Sequence, residues 1–397
     1  MRRVAVTGLG VVSACGNNVN EFWQSMREGR SGIRPIQTVG CGGLKFPNGA
    51  EVIGFDPLQY LDPKAVSQLD RTVHLAAAAT SEALLDSGVT LVPHRSAVVT
   101  GCAIGGKPTE DESYRQLYAE AKTRFNPLTI PKIMANAAAS WISMTFGITG
   151  PVYNISTACA SAGHAIGQAF WMVRSGMVDV ALTGGTEAPF ALGLLHAWEA
   201  MRVVSTDTCR PFSKNRRGLI LGEGAAMLVL ESYEHAVARG AKIYATISGF
   251  GMCSDAHHLT APSAGGAENA MRGALEDAKL AAAQIGYINA HGTGTMANDA
   301  TESQAIRRLF VTPPPVSSTK SMHGHALGAS PALEAVATVL AIYHSVLPPT
   351  ANFIEADAEC LDDVVANQAR VARVDAALSN SFAFGGLNAV LAFERYR

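Results

Sequence analysis

The residues in this chain whose types and spacing could do chemistry are a cysteine, two histidines and a lysine. Cys159 lies in V-Y-N-I-S-T-A-C-A-S-A-G-H-A-I-G-Q, residues 152–168. Residues 152–155 read as the end of a strand, the small residues 156–163 turn the chain, and 165–173 continue as an apolar helix. A cysteine at that turn faces unpaired N–H groups and the positive end of a helix dipole. Such a setting lowers a thiol's pKa and supplies thiolate near neutral pH. The surrounding Ser, Ala and Gly let a second backbone or a thioester approach closely. On this stretch alone the other reading is a buried, inert cysteine.

His291 follows a buried-type strand, 286–290, and opens H-G-T-G-T, where Thr293 and Thr295 offer hydroxyls to an elongated polar ligand. Taken alone it could equally be a satisfied histidine in a strand-end loop. K-S-M-H-G-H, from Lys320 to His325, sets one lysine and two histidines just before the apolar helix 333–343. No acidic or thiol ligand accompanies these histidines at metal-binding spacing, so no metal site is expected. Glu302, in D-A-T-E, is a candidate ionic partner for Lys320 or else part of a solvated helix face. L-S-N-S-F-A-F-G-G, residues 378–386, reads as a strand running into a glycine loop. Its backbone N–H groups could serve as oxyanion donors and its glycines as the hinge of a gate. The alternative is a β-turn with core aromatics.

The elements that must position these groups come from a chain of 397 residues, which suggests two or three units at ~150 residues each. Hydrophobic residues make up 48% and charged ones 16%, against about 25% charged in an ordinary globular chain. A chain so short of charge buries a large core and part of its surface in a subunit interface. A net charge of −2 gives no footing for nucleic acid or an anionic membrane. The N-terminal apolar run is broken by Gly8 and Gly10 and reads as a strand rather than a signal peptide. No apolar run approaches the ~20 residues that span a bilayer. The seven cysteines are scattered, without C-x-x-C spacing. That points to neither a disulfide framework nor a zinc site, and to a reducing cytoplasm.

In order, residues 3–8 read as a strand, 19–27 as a helix capped by Asn20, and 38–63 as an irregular excursion. Residues 70–86 form an alanine-rich buried helix, 96–100 a strand, 107–113 a polar loop, 178–183 a strand and 222–230 a small-residue passage into another. Near residue 240 this order begins again. Y-A-T-I-S-G-F-G at 244–251 echoes V-A-V-T-G-L-G, 269–280 echoes the helix 70–86, and 285–295 echoes 96–106. The end of a long helix at 338–344 sits where the Cys159 helix sat. Two βαβαβ-like halves, 1–240 and 241–397, imply an α/β fold.

T-A-C-A-S-A at 157–162, N-A-H-G-T-G-T at 289–295, T-K-S-M-x-G-H at 319–325 and N-S-F-x-F-G-G at 380–386 occur in this order. Together they resemble the β-ketoacyl-acyl-carrier-protein synthases of type I/II, and the likeness runs end to end. T-C-R-P-F-S-x-x-R-x-G-L-x-L-G-E-G-A at 208–225 strengthens it. L-x-A-W-E-A-M-R at 195–202 and the C-R-P-F-S run look most like nodulation-type and other specialised members.

The resemblance implies a thiolase-like, five-layered αβαβα fold of two pseudo-repeated halves, as a cytoplasmic homodimer. A heterodimer with a second synthase-like subunit stays open. It implies no metal or organic cofactor, the substrates arriving on the phosphopantetheine of an acyl carrier protein. Cys159 would carry the acyl chain, and His291 and His325 would hydrogen-bond the malonyl thioester carbonyl during decarboxylation. Lys320, tied to Glu302, would hold the local charge. Backbone N–H groups of Cys159 and Phe384 would form the oxyanion hole, with Phe384, Gly385 and Gly386 as the gate and Thr293 and Thr295 on the phosphopantetheine arm. Lys64, Arg124, Arg210 and Lys214 stand near carrier-docking positions, though each could be a plain surface charge.

Three departures stand out. Glu110 occupies a position that is usually apolar in the acyl pocket, Ala383 replaces a gating glycine, and Leu387 replaces a threonine. They suggest a shorter or more polar acyl pocket. His323 reads as a bystander. A thiolase would carry a second cysteine near the C-terminal glycine loop, and Cys360 lies well before it. A non-catalytic chain-length factor would lack the nucleophile that Cys159 supplies.

Overall fold

The computed structural model describes residues 1–40 and 42–396. One sheet contains β1 (Val4–Ser13), β2 (Ser96–Gly101), β3 (Val152–Ile155), β4 (Val180–Glu187) and β5 (Gly224–Ser232). It continues through β6 (Ala245–Ser254), β7 (Tyr287–Asn289), β8 (Val316–Ser317), β9 (Ala376–Ala383) and β10 (Leu387–Glu394). The helices that concern the site are α1 (Val19–Glu28), α2 (Arg71–Ser87), α3 (Lys107–Glu120) and α4 (Ser161–Ser175). They are followed by α5 (Leu192–Ala200), α6 (Ala264–Ala278), α7 (Met296–Leu309) and α8 (Ser330–His344).

Across the sheet the order is β8-β7-β9-β10-β6-β1-β5-β4-β2-β3. The arm β3-β2-β4-β5-β1 is thus repeated as β8-β7-β9-β10-β6. The strand directions repeat as well: β2 is parallel to β3 and β4, as β7 is to β8 and β9, and the remaining pairs are antiparallel. The arms meet where residues 4–6 of β1 pair with 245–247 of β6. Helices α4 and α8 lie between them, with Ile166, Phe170, Leu333 and Leu340 in one core with Leu9 of β1 and Phe393 of β10. Truncating Phe170 in such a core costs about 3–5 kcal/mol. Helix α2 covers the outer face of the first arm, and α6 and α7 that of the second. The result is five layers, αβαβα.

The glycine-spaced strands explain the repeat physically. A Cβ at Gly8 or Gly10 would lie 2.2 Å from the Ala83 carbonyl oxygen or 1.9 Å from that of Ala79, both on α2. At Gly249 and Gly251 it would lie 2.3 and 2.1 Å from the Ala274 and Ala270 carbonyls of α6. Only glycine lets helix and strand approach this closely. Between each glycine pair, one strand N–H turns to the helix: Leu9 donates to Asp86 and Phe250 to Asp277, both at 3.0 Å.

Two local expectations are corrected. Residues 107–113 are not a loop but the start of α3, led by Gly106 and carrying Pro108 in its first turn. No residue of this helix is buried, so its sequence lacks an apolar stripe. Helix α1 is capped by Asn18, whose side chain accepts from the Glu21 N–H at 2.9 Å, rather than by Asn20. The 18-residue stretch Leu327–His344 does have the length and composition of a membrane span, and it is 89% buried inside the fold.

Candidate active site

The chain leaves β3 and turns sharply at Ala158, whose φ of 48° is costly for a residue with a Cβ. The Thr157 N–H donates to Ser161 Oγ at 2.9 Å, and that hydroxyl donates to the Ala158 carbonyl at 2.6 Å. Cys159 follows, at the entry to α4. Its thiol is buried, and desolvation pushes it up to about 12, against the pull of Lys320 and of the Phe384 N–H. Burial thus works against the activation that the helix terminus would give. The helix terminus is there, and burial favours the protonated thiol against it.

The His291 and His325 rings lie 5.6 Å apart at 85°. Burial, and then the charge on Lys320, hold both well below the ordinary histidine range, so both are neutral at pH 7. His325 Nδ1 accepts from the Leu327 N–H at 3.1 Å and sits 2.9 Å from Ser330 Oγ. His291 Nδ1 sits 3.3 Å from Lys320 Nζ, a donor. A neutral imidazole with Nδ1 accepting carries its proton on Nε2. Each ring therefore keeps one N–H for the cavity it lines.

Lys320 is fully buried and does not pair with Glu302. Its ammonium donates to the Glu334 carboxylate and, at 2.6 Å, to the His291 carbonyl. Glu302 instead accepts from the backbone N–H groups of His291 and Gly292, at 2.9 and 2.8 Å, and from Asn380 at 3.1 Å. The correction has a simple cause: the start of the His291 loop points two N–H donors at Glu302, and Lys320 reaches Glu334 instead. Burial raises Glu334 to about 7, with Lys320 pulling it down.

Cys159, His291, His325, Thr293, Thr295 and Phe384 line a single cavity of about 110 Å³. The threonine hydroxyls are 2.8 Å apart, and Thr295 caps α7. Phe384, Gly385 and Gly386 form the turn between β9 and β10, the glycines at φ 83° and 71°. The Phe384 ring stacks on Trp198 of α5, with centroids 6.3 Å apart and planes at 27°.

Other expected residues lie elsewhere. Glu110 does not line the Cys159 cavity. It pairs with Lys107 and lines a second cavity of about 180 Å³ with Tyr114, Phe125, Ile130 and Ile133. Lys64 and Arg124 are exposed. Arg210 and Lys214 are tied to Asp207 and Glu355, at 2.7 and 2.8 Å. His323 is buried beside Thr319, off the cavity. Sequence reasoning missed Glu334, a lone acid in the apolar helix α8, and Trp198, quoted within a motif but given no task. It also missed Asp299, which accepts from the Gly294 and Phe212 N–H groups at 3.2 and 2.8 Å and so braces the His291 loop.

A cysteine on a strained elbow, facing two neutral imidazoles within a duplicated five-layered fold, defines a thiolase-like enzyme class that works on thioesters. Family models for the N-terminal and C-terminal domains of β-ketoacyl synthases match residues 1–236 and 244–354. The chain belongs to the β-ketoacyl synthase family. It is 48% identical to nodulation protein E of Rhizobium sp. (strain N33) over 400 residues, 99% of each chain. It is 41% identical to the 3-oxoacyl-[acyl-carrier-protein] synthase 2 of Synechocystis sp. over 410 residues, 100% of this chain and 99% of the other. The solved ishigamide ketosynthase/chain length factor superposes with a TM-score of 0.97 at 38% identity, with 100% of both chains covered.

Proposed function

We propose that the chain is an elongating β-ketoacyl-acyl-carrier-protein synthase with Cys159 as the acyl carrier. The acyl group leaves the carrier's phosphopantetheine sulfur for Cys159, and the thiol proton goes to the departing sulfur. Malonyl carrier then loses CO2, and its electron pair moves to C2 while charge develops on the enolate oxygen. The Nε2–H groups of His291 and His325 hold that oxygen. C2 attacks the acyl carbonyl, whose oxygen is held by the Cys159 and Phe384 N–H groups. The Cys159 thiolate departs and takes a proton from water, leaving a 3-oxoacyl thioester on the carrier. Loss of CO2 drives the sequence, which calls for no metal or organic cofactor.

The observation that carries this reading is the pair of neutral imidazoles, each with Nδ1 engaged, on the cavity of Cys159. Two preset N–H donors suit an enolate oxygen, whereas a hydrolase has no use for a second imidazole. In this reading Thr293 and Thr295 hold the phosphopantetheine arm, and the acyl chain ends near Glu110. Lys64, Arg124, Arg210 and Lys214 meet an acidic carrier protein, with the first two the freer pair. The higher identity to nodulation protein E than to the synthase 2 relative favours a specialised pathway over housekeeping synthesis.

A homodimer is supported by β3, which stands half-buried at the sheet edge, and by Tyr118, Ile130 and Met144 at 80%, 64% and 75% exposure. The ishigamide neighbour, described as a ketosynthase/chain length factor, keeps a heterodimer as the second reading. Six free cysteines among the described residues suit the cytoplasm.

The test is intact-protein mass spectrometry of wild type and Cys159→Ala with a panel of acyl carrier thioesters, followed by malonyl carrier. An adduct on wild type alone that clears on adding malonyl carrier, with 3-oxoacyl carrier as product, supports the proposal. Loading without condensation overturns it.

A further inference from the structure

Glu187, at the end of β4, is a fully buried carboxylate that the mechanism above does not use. It accepts four hydrogen bonds from neutral donors. Oε2 takes the Ala103 and Gly328 N–H groups at 2.8 and 3.0 Å, and Oε1 takes the Ile104 N–H and the Cys102 thiol at 3.3 and 3.2 Å. Two of the elements it joins belong to different arms: the loop after β2 and the turn at Leu327 and Gly328 that leads into α8.

That turn repeats the nucleophile elbow. Leu327 has a φ of 45°, as Ala158 has 48°, and each precedes the residue that enters a central helix. Gly328 thus stands where the first arm has Cys159. The N–H of Leu327, next to the N–H that Glu187 holds, donates to His325 Nδ1 and sets its tautomer. A Cβ on Gly328 would lie 2.7 Å from Glu187 Oε2 and 2.6 Å from the Ala103 nitrogen, so turn and carboxylate are closely fitted.

We propose that Glu187 is a positioning residue for the decarboxylation step: it clamps the second-arm elbow so that the Leu327 N–H fixes His325 with its proton on Nε2, aimed at the substrate. The same carboxylate stands close enough to Cys159 to oppose ionisation of the thiol. Burial raises Glu187 itself to about 7, so above neutral pH, where it is charged, removing that charge slows decarboxylation without slowing alkylation of the thiol. A role in folding alone would depress both. The inference rests on the decarboxylating reading of the site.

The experiment uses Glu187→Gln, which keeps the shape but turns an NH2 toward one of the N–H donors. Gly328→Ala, which keeps the carboxylate and displaces it, is the second variant. Expected for Glu187→Gln is CO2 release from malonyl carrier slowed by about tenfold or more, with Cys159 alkylation by iodoacetamide unchanged or faster. Imidazole ¹⁵N shifts of His325, identified by their loss in His325→Gln, should move from a pure Nε2–H tautomer to a mixture in both variants. A pure tautomer in both variants overturns the proposal, as does CO2 release within about twofold of wild type, or parallel loss of both rates. Wild type that releases no CO2 sinks the decarboxylating reading instead, and the ¹⁵N measurement still decides whether Glu187 sets the tautomer.

Discussion

Lys320 and Glu334 form a fully buried ion pair, and the same ammonium holds the His291 carbonyl at 2.6 Å. The pair therefore fixes the loop that carries one of the two imidazoles from underneath. Removing one member of a buried pair typically costs about 3–5 kcal/mol, because the other charge stays behind unpaired. Lys320→Met should lose that much in urea unfolding, and Lys320→Met with Glu334→Gln should recover part of it. In a double-mutant cycle Lys320 and Glu334 should couple by more than about 1 kcal/mol, and Lys320 with Glu302 by much less. Equal couplings would restore the Glu302 pairing.

The Cys159 thiol, raised to about 12, predicts the pH course of its reactivity. Its alkylation rate should climb roughly tenfold per pH unit from 6 to 10, because the thiolate fraction does so below the pKa. A plateau near pH 7 would show an activated thiolate and refute the assignment.

Stability should fall on the alkaline side. Burial raises Cys15, Cys159, Cys209 and Cys360 to about 12, above the value of about 8.5 for an unfolded thiol. The folded state then binds more protons than the unfolded one. This contribution is whole below the unfolded value and is lost as pH rises toward the folded one, by up to about 1.4 kcal/mol per thiol per pH unit. Chemical unfolding at pH 7.5 and 9.5 measures it; equal stability at both would contradict the shifts.

The Trp198–Phe384 stack closes the cavity beside Cys159. Trp198→Ala should admit water and shorten the life of an acyl adduct on Cys159 roughly tenfold, read by timed mass spectrometry. Unchanged adduct decay would remove Trp198 from the gate.

Glu110 puts a carboxylate, paired with Lys107, in a cavity lined mainly by Tyr114, Phe125, Pro127, Ile130 and Ile133. Glu110→Ile should shift loading toward longer acyl chains by about one methylene's worth of burial, ~0.8 kcal/mol per CH2 accommodated. An unchanged chain-length profile would take the acyl end away from this cavity.

What the sequence made legible is what chemistry dictates locally. Cys159, His291, Lys320 and His325 sit in short motifs, and the glycine-spaced strands betray the repeat because helix and strand must nearly touch there. Glu334 was hidden because its partner is reached across the fold, from a helix whose other residues are apolar. The burial of the Cys159 thiol was equally out of reach: the helix end is local, but His291, His325 and Phe384, which share its cavity, come from the opposite arm. Helix α3 went unread for the opposite reason, since a helix that buries no side chain leaves no periodic trace.

The strand order carries a cost in time. β1 is buried at every residue and, among the described residues, its strand partners are β5 and β6, which begin at Gly224 and Ala245. At 5–20 residues per second, a ribosome takes roughly ten to forty seconds to make the first of these partners. Throughout that interval a ten-residue apolar strand has left the exit tunnel with both edges unpaired. The nascent chain, rather than the finished enzyme, is thus the species exposed to edge-to-edge pairing.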